Sequence, residues 1–335
     1  MRKFATGMLC TMLCIYSFAQ EIATQKQNVF RGVHKVVVNA DFCSLKLTGH
    51  RSDVVNFNGV IISQENLEAY GFEVNQQDDT LNIRVTKPEH WKSHWGEVIL
   101  KLPEGIVIEA ITQSGKVEAT SVKGIRLHVL SKSGHVFLSS VEGSVTVTSP
   151  AGDLKAEGFS GVLKAKTKTG TVNVKGFNGN CAIECHKGPI HIADAQGTLF
   201  VDGGTGNLEV ENVKGDITLK STSGDTKLSI AKGNISVKTF DGDMKLFNTS
   251  GVYTVQSSTG NITGTRVVFT APSSFASTEG NIKVQMNTKE NLAFELKSSH
   301  AYVRAMGKSK KKSLKIGKGD ILITGTSTTG SQAYY

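Results

Sequence analysis

The sequence has little proline and few cysteines, and each shortage argues against a class of protein. Only 5 prolines stand against 35 glycines among 335 residues. A disordered linker is normally richer in proline, so this balance favours a repetitive β structure with many turns. Of the 5 cysteines, Cys10 and Cys14 fall in a predicted leader, which leaves Cys43, Cys181 and Cys185. An odd number argues against a disulfide scaffold, so we expect packing to hold the chain together.

Long apolar runs are absent beyond the N-terminus. A basic pair at residues 2–3 precedes the uncharged, largely apolar stretch 4–18, and Ala19 then offers a small residue at a cleavage point. This order is typical of a secretory signal peptide, which we predict over residues 1–20. The apolar stretch is too short for a comfortable transmembrane helix, and no later segment has the length or apolar character to span a membrane.

The predicted leader places the mature chain in the periplasm, on the outer surface or in the medium. A lipid anchor at Cys10 or Cys14 is the alternative, but Leu9 and Leu13 stand where that motif needs a small residue. The formal net charge of +9 falls to near +7 without the two leader cations. A basic protein can bind nucleic acid, anionic lipid or acidic glycans. Because export removes the chain from the cytosol, we predict no nucleic-acid partner.

Glycine recurs every nine residues through most of the chain. The ladder without a slip consists of Gly134, Gly143, Gly152, Gly161, Gly170, Gly179, Gly188, Gly197, Gly206, Gly215, Gly224, Gly233, Gly242, Gly251 and Gly260. Positions two and four after each glycine are mostly apolar and positions one and three mostly polar, which is typical of a strand with one buried face. Asn or Asp often follows the glycine, as at Asn180 and Asp216, and this pair marks a turn. Nine residues therefore encode one strand and one turn.

A weaker period of eighteen overlies the nine. Apolar residues lie two positions before alternate glycines, as at Phe159, Phe177 and Val213. Two units therefore make one coil with two unlike sides, and residues 115–260 hold about eight coils. Identical units in identical register predict parallel stacking, which we expect to be right-handed by analogy with parallel crossovers. The nine-residue unit favours two strands per coil over three short ones, without excluding the latter.

The fold class predicted is all-β: a right-handed parallel β-solenoid with nine-residue units, two per coil, capped by irregular β segments at both ends. Residues 21–110 alternate without the strict ladder and predict an irregular β lead-in and N-terminal cap, since an open solenoid edge needs covering. The repeats occupy residues 111–285. Residues 286–335 predict a C-terminal cap and tail, and we expect residues 325–335 to fray.

Tandem Gly-Asn/Asp-Ile units follow a lead-in that ends in a Leu-Pro step. These units are Gly215-Asp216-Ile217, Gly233-Asn234-Ile235, Gly260-Asn261-Ile262, Gly280-Asn281-Ile282 and Gly319-Asp320-Ile321. The array resembles the head GIN domain family of auto-transporter adhesins, and the resemblance covers most of the mature chain. It implies a right-handed parallel β-solenoid on the outside of a bacterium, and it brings no catalytic residues.

The segment from His90 to Trp95 is locally unusual, with the sequence HWKSHW. Tryptophans in a loop can stack on a sugar or contact a partner, because aromatic residues favour interfaces. Two histidines four apart could ligate a metal on a helix, but two ligands fall short of the usual three or four. We therefore predict ligand or partner contact at His90, Trp91, His94 and Trp95, with no metal and no cofactor. The alternative is that the tryptophans cover the open end of the solenoid.

Two further groups favour a structural interpretation. Asn207, Asp225, Asp243 and Asn261 recur every eighteen residues and so lie on one edge of the rod. The turns lack the Gly-Gly-x-Gly-x-Asp pattern of calcium-binding nonapeptides, which favours a turn ladder over a calcium site. A basic run at 308–318 could contact anionic glycan or lipid, but lysines also protect a sheet edge from pairing with another chain.

Three functional classes remain to be weighed. A rigid rod with long polar faces suits an exported adhesin-like or cell-envelope binding protein that contacts glycans or proteins, and this is the function we predict, without catalysis. A carbohydrate-active β-helix enzyme is an alternative, but it needs clustered carboxylates in a groove. The glycine ladder from 134 to 260 has no inserted loop that could form the wall of such a groove. An envelope-stress sensing module is the other alternative.

Overall fold

The computed structural model describes residues 21–65, 67–90, 93–286 and 291–335. Its strands form one continuous sheet that winds into a parallel β-solenoid of about ten turns. The all-β, parallel-solenoid prediction is thus confirmed. The leader at residues 1–20 and Trp91 lie outside the described residues. No helix within the described ranges has the length and apolar character needed to cross a membrane.

The N-terminal strands are followed by a long regular array and a C-terminal group. The N-terminal strands are β1 (Glu21–Arg31), β2 (Lys35–Asp41), β3 (Ser44–Gly49), β4 (Val54–Ser63), β5 (Gly71–Gln77), β6 (Thr80–Thr86) and β7 (His94–Leu102), with a short 3-10 helix at Leu67–Ala69. The array consists of β8 (Val107–Thr112), β9 (Val117–Thr120), β10 (Ile125–Ser131), β11 (Val136–Ser139), β12 (Glu142–Ala151), β13 (Leu154–Thr169), β14 (Val172–Lys187), β15 (Ile190–Asp202), β16 (Leu208–Ser221), β17 (Thr226–Thr239), β18 (Met244–Ser257), β19 (Ile262–Phe269), β20 (Ser273–Ser277) and β21 (Ile282–Met286). The C-terminal strands are β22 (Leu292–Ala305), β23 (Lys308–Gly317), β24 (Ile321–Ser327) and β25 (Gln332–Tyr334).

Each regular coil is one bent strand followed by a turn. Strands β13 to β18 run 13 to 16 residues, and each pairs with the next at a spacing of eighteen, as Leu163 pairs with Cys181 and Cys181 with Leu199. Side chains alternate between the two faces of a strand, so the same inward position stacks from coil to coil. The predicted period of eighteen therefore sets the coil length.

The fifteen glycines separate into two columns, each with a spacing of eighteen. Those from Gly134 to Gly260 in steps of eighteen lie at the turns, whereas those from Gly143 to Gly251 lie within or at the start of the long strands. Gly197 shows why the second column needs glycine. Its φ is +123°, and a Cβ there would overlap the carbonyl oxygen of Gly179 one coil earlier. The ladder thus reflects close backbone approach as well as turn geometry.

The strands at the N-terminal end stack out of chain order. β2 lies between β6 and β8, and β3 lies between β7 and β9. The coil formed by β2 and β3 is therefore enclosed by segments that come later in the chain. Antiparallel pairing closes this end, because β1 joins β4, β4 joins β7 and β5 joins β6.

The C-terminal end repeats this arrangement, and the prediction that residues 325–335 fray is wrong. β24 pairs with both β20 and β22, and β25 pairs with both β21 and β22. Tyr334 is fully buried, and its ring packs near Phe275 and Phe294. The coil formed by β24 and β25, although last in the sequence, thus lies between β22 on one side and β20 and β21 on the other. The antiparallel strand β23 covers the other edge of β22.

Candidate functional site

His94 lies at the start of β7 in an aromatic cluster at the N-terminal end of the rod. Its imidazole stacks on Phe42 with ring centroids 3.8 Å apart, and the edge of the Tyr70 ring faces it at 5.7 Å. The Tyr70 hydroxyl lies 3.1 Å from His94 Nδ1. Phe42 follows β2, Tyr70 follows the 3-10 helix, and antiparallel pairing sets His94 against Ser63 of β4. The swapped coil order therefore builds this cluster.

The surroundings of His94 favour its neutral form. Burial lowers the pKa of the imidazole, the nearby Lys87 ammonium lowers it further, and the Asp41 carboxylate opposes them. Lys87 Nζ and Asp41 Oδ1 form an ion pair at 2.9 Å. A neutral imidazole can accept a hydrogen bond at Nδ1 from the Tyr70 hydroxyl, with its own proton on Nε2. The Phe42 and Tyr70 rings and the Tyr70 hydroxyl thus fix the orientation of the imidazole.

The other predicted contact residues do not converge on His94 as a metal site would require. His90 is exposed at a bend, and the Trp95 side chain is 46% exposed on β7. His90 lies in a bend and His94 is the first residue of β7, so the two do not share a helix face. Across the described ranges, no group of three His, Cys, Asp or Glu is placed to hold a metal. Trp95 does not cover the open end, which antiparallel strands cover instead.

A column of buried hydroxyl groups follows the turn edge of the rod. A Ser or Thr lies three residues before most turn glycines, and in several coils its hydroxyl donates a hydrogen bond to a carbonyl of its own turn. Ser149 Oγ reaches Ala151 O at 2.8 Å, Thr167 Oγ1 reaches Thr169 O at 3.0 Å, and Ser257 Oγ reaches Gly260 O at 2.7 Å. These bonds satisfy turn carbonyls that point inward. The column explains a Ser/Thr-x-x-Gly pattern in the sequence.

Two successive coils break this column, and a surface groove lined in part by Cys185 lies along the same edge. Cys185 and Gly203 occupy the hydroxyl positions, and a Cβ added at Gly203 would meet only ordinary contacts, its nearest atom being Lys220 O at 3.5 Å. Steric crowding therefore does not require glycine at 203. The open groove at this edge has a volume of about 620 Å³ and extends from Ser149 to Thr222. Sequence reasoning missed this site, although Cys185 at a Ser/Thr position marks one residue of its lining.

The rim of the groove carries mixed charge. Lys166 and Glu184 form an ion pair at 2.9 Å, and Lys168, His186 and Asp202 complete the polar border. Burial raises the pKa of the Cys185 thiol, which disfavours the reactive thiolate. A groove with apolar floor and balanced charged border suits a neutral polar ligand better than a strongly charged one.

The Asn/Asp column forms a hydrogen-bonded ladder along the same edge. Asn207 Oδ1 accepts the backbone N–H of Asp225 at 3.1 Å, Asp225 Oδ1 accepts that of Asp243 at 3.1 Å, and Asp243 Oδ1 accepts that of Asn261 at 2.9 Å. Each side chain thereby binds the coil that follows. This arrangement accounts for the Asn and Asp side chains by hydrogen bonds between successive turns.

The family model for Toastrack DUF4097 matches the chain over residues 56–284 and 195–319. The match contains no head GIN domain or auto-transporter component. No curated protein matches the sequence.

Three solved structures align with nearly the whole chain at very low identity. A "putative cell adhesion protein" from Clostridium sporogenes ATCC 15579 is 12% identical, with 94% of this chain and 99% of that chain covered and a TM-score of 0.21. A "putative adhesin" from Bacteroides fragilis NCTC 9343 is 10% identical, with 93% and 97% covered and a TM-score of 0.25. A "putative adhesin" from Parabacteroides distasonis ATCC 8503 is 12% identical, with 92% and 96% covered and a TM-score of 0.24. At these scores the alignments carry no argument about this chain.

Proposed function

Because this chain belongs to the Toastrack DUF4097 family, we propose that it is an exported, non-catalytic binding protein of the cell envelope, adhesin-like in its mode of action. Export rests on the predicted leader at residues 1–20. The adhesin-like role rests in part on the resemblance to the head GIN domain family. Its partners are cell-surface or envelope glycans or proteins.

The uninterrupted register of the rod is the observation that carries this proposal. From β12 to β17 each strand pairs with the next at the same spacing, with no inserted loop. Such an array presents identical backbone positions at intervals of about 4.8 Å. Long faces with repeated polar side chains suit extended contact with a polymer or another surface.

The chemistry of the described nucleophiles supports binding over catalysis. Burial raises the pKa of the Cys43 and Cys181 thiols to about 12, so neither is poised as a thiolate. On the turn edge, one carboxylate oxygen each of Asp225 and Asp243 accepts a backbone N–H of the next coil. These groups stabilise the stack rather than face a substrate.

We assign contact with a partner to two places. The first is the N-terminal segment with His90, Trp91, His94 and Trp95, where the exposed Trp95 side chain follows His94 on β7. The second is the groove from Ser149 to Thr222, whose size and mixed border suit a sugar unit of a neutral glycan.

Binding of the chain from residue 21 to a glycan array and to whole cells tests the proposal. Trp95→Ala removes exposed aromatic surface at the first place, and His186→Ala removes an exposed side chain from the border of the second. Phe240→Ala is the matched control, since Phe240 is 63% exposed elsewhere on the rod. We expect saturable binding that one or both site variants weaken and the control preserves.

Cleavage measured on the same polysaccharides separates binding from catalysis. The proposal predicts bound ligand recovered intact. Turnover abolished by a single carboxylate substitution would overturn it in favour of a carbohydrate-active enzyme. Absence of binding to any glycan or cell, with an intact fold, would instead favour the envelope-stress sensing alternative.

A further inference from the structure

The C-terminal end of the rod is formed by a basic hairpin. β23 is its outermost strand and pairs with β22. Residues 299–318 contain Arg304, Lys308, Lys310, Lys311, Lys312, Lys315 and Lys318, with no Asp or Glu. Residues 308–313 are exposed on both faces of the strand. Concentrated positive charge on an open edge attracts anionic surfaces.

The tip of this hairpin is apolar where turn chemistry favours a polar residue. Met306 and Gly307 have φ values of +48° and +76°, and a two-residue turn with both φ positive normally selects Asn-Gly or Asp-Gly. Met306 is nevertheless 40% exposed, and Tyr302 nearby is 62% exposed. Nothing lies within 4 Å of a Cβ built at Gly307, so the tip projects into open space. A strained, exposed methionine points to a role outside the fold.

We propose that this hairpin docks on an anionic lipid bilayer, with the Met306 tip entering the headgroup region and the lysines contacting lipid phosphates. Clustered Lys and Arg bind anionic lipids with about 1 kcal/mol for each side chain near the surface. Tyrosine is typical of the membrane–water interface, because its ring is apolar and its hydroxyl polar. Tyr302 pairs in register with Lys311, which places an interfacial residue beside a cation.

The apolar tip distinguishes lipid from the other anionic partners. A soluble anionic polysaccharide would attract the lysines, but it offers no apolar medium in which the Met306 side chain could be buried. The opposite end of a second copy is also acidic, since residues 63–80 carry five Asp and Glu with no Lys or Arg. Contact with that end would depend on charge and on protein concentration, and it would not require Met306 at the tip.

Sedimentation with large vesicles tests the proposal in the chain from residue 21. We expect binding to vesicles of phosphatidylcholine with phosphatidylglycerol, and little binding to phosphatidylcholine alone. Met306→Asn provides a residue that the turn prefers, so it keeps or improves the fold while removing the apolar tip. It should lower vesicle partitioning by about tenfold, as expected for partial burial of a methionine side chain.

Charge variants separate local from general attraction. The triple variant Lys308→Gln, Lys310→Gln and Lys311→Gln should lower partitioning by at least about tenfold. The matched control Lys164→Gln, Lys175→Gln and Lys232→Gln removes the same charge from exposed positions in the middle of the rod and should have a smaller effect. Thermal unfolding of each variant verifies that the fold is kept.

A probe at the tip reports insertion directly. Cys43, Cys181 and Cys185 are buried, so Met306→Cys can be labelled selectively with an environment-sensitive dye. A blue shift on anionic vesicles supports the proposal. No vesicle binding, or binding that Met306→Asn leaves unchanged, overturns it, as does tighter binding to a soluble anionic polysaccharide. Self-association that vesicles fail to compete away would assign the surface to a second copy instead.

Discussion

The two ends of the rod close the open edge of the solenoid with the same strand topology, but they differ in charge. At each end a coil is inserted out of chain order, with β2 and β3 at one end and β24 and β25 at the other. At each end antiparallel strands cover the open edge. The C-terminal hairpin is strongly basic, whereas the segment around the 3-10 helix at the N-terminal end is acidic.

The difference in charge between the two ends shows which features capping requires. Covered edges and enclosed coils occur at both ends, so they answer the general need to close a solenoid. A run of lysines on the covering strand occurs at the C-terminal end alone, since β1 carries only Lys26 and Arg31, so closure does not depend on such a run. We therefore attribute the lysines of β23 to edge protection and to the proposed membrane contact, and the His94 cluster of the other end to partner contact.

Truncating a buried ring at either end gives the largest expected effect. Tyr334→Ala and Phe57→Ala should each lower the free energy of unfolding by about 3–5 kcal/mol, the usual cost of an aromatic truncation in a core. Denaturant unfolding, read separately at both ends by hydrogen exchange, measures it. Tyr334→Phe is the matched control. The Tyr334 hydroxyl is buried without a hydrogen-bond partner among the described residues, so its removal should be neutral or stabilising. A large loss in Tyr334→Phe would contradict this packing.

Neutralising the basic edge should have an intermediate effect. Replacing Lys308, Lys310 and Lys311 by Thr favours a strand and removes three of the five lysines of β23, so we expect edge-to-edge association. Light scattering should show a mass that rises with protein concentration. The same three changes at Lys164, Lys175 and Lys232 should leave the mass constant, because those residues lie on paired strands. If the mass of both variants behaved alike, the lysines of β23 would have no role in protecting the sheet edge.

Much of the fold could be predicted because its code is periodic. The spacing of nine, its modulation at eighteen and the alternation after each glycine together define the coil. The position of the end coils could not be predicted, because Gly319-Asp320-Ile321 carries the same pattern as a unit in the middle of the rod. That pattern assigns β24 to a coil without specifying which neighbours it pairs with.

Less of the candidate site than of the fold could be predicted from the sequence. Nothing periodic relates Phe42, Tyr70 and His94, since the out-of-order coil brings them together. The groove is lined by residues eighteen apart, such as Lys166, Glu184 and Asp202, and the repeat itself does not distinguish these coils from their neighbours.

The smallest expected effect is a pH dependence confined to the N-terminal end. The folded protein lowers the pKa of His94 below its usual value of 6.5, so the unfolded chain binds more protons in this range. The contribution to stability is therefore full above pH 6.5 and is lost as pH falls through the lowered pKa. Hydrogen exchange in β4 and β5 should accelerate as the pH falls below 6.5, after correction for intrinsic rates. His94→Gln should reduce this dependence, and an unchanged dependence would assign it to another group.

Hydrogen exchange of the intact chain at neutral pH tests the enclosed end coil most directly. If β24 and β25 lie between β20, β21 and β22, their amides should exchange as slowly as those of β17 in the middle of the rod, and far more slowly than those of the outer strands β1 and β23. Rapid exchange over residues 321–335, as in a frayed tail, would contradict the inserted coil and with it the shared topology of the two ends.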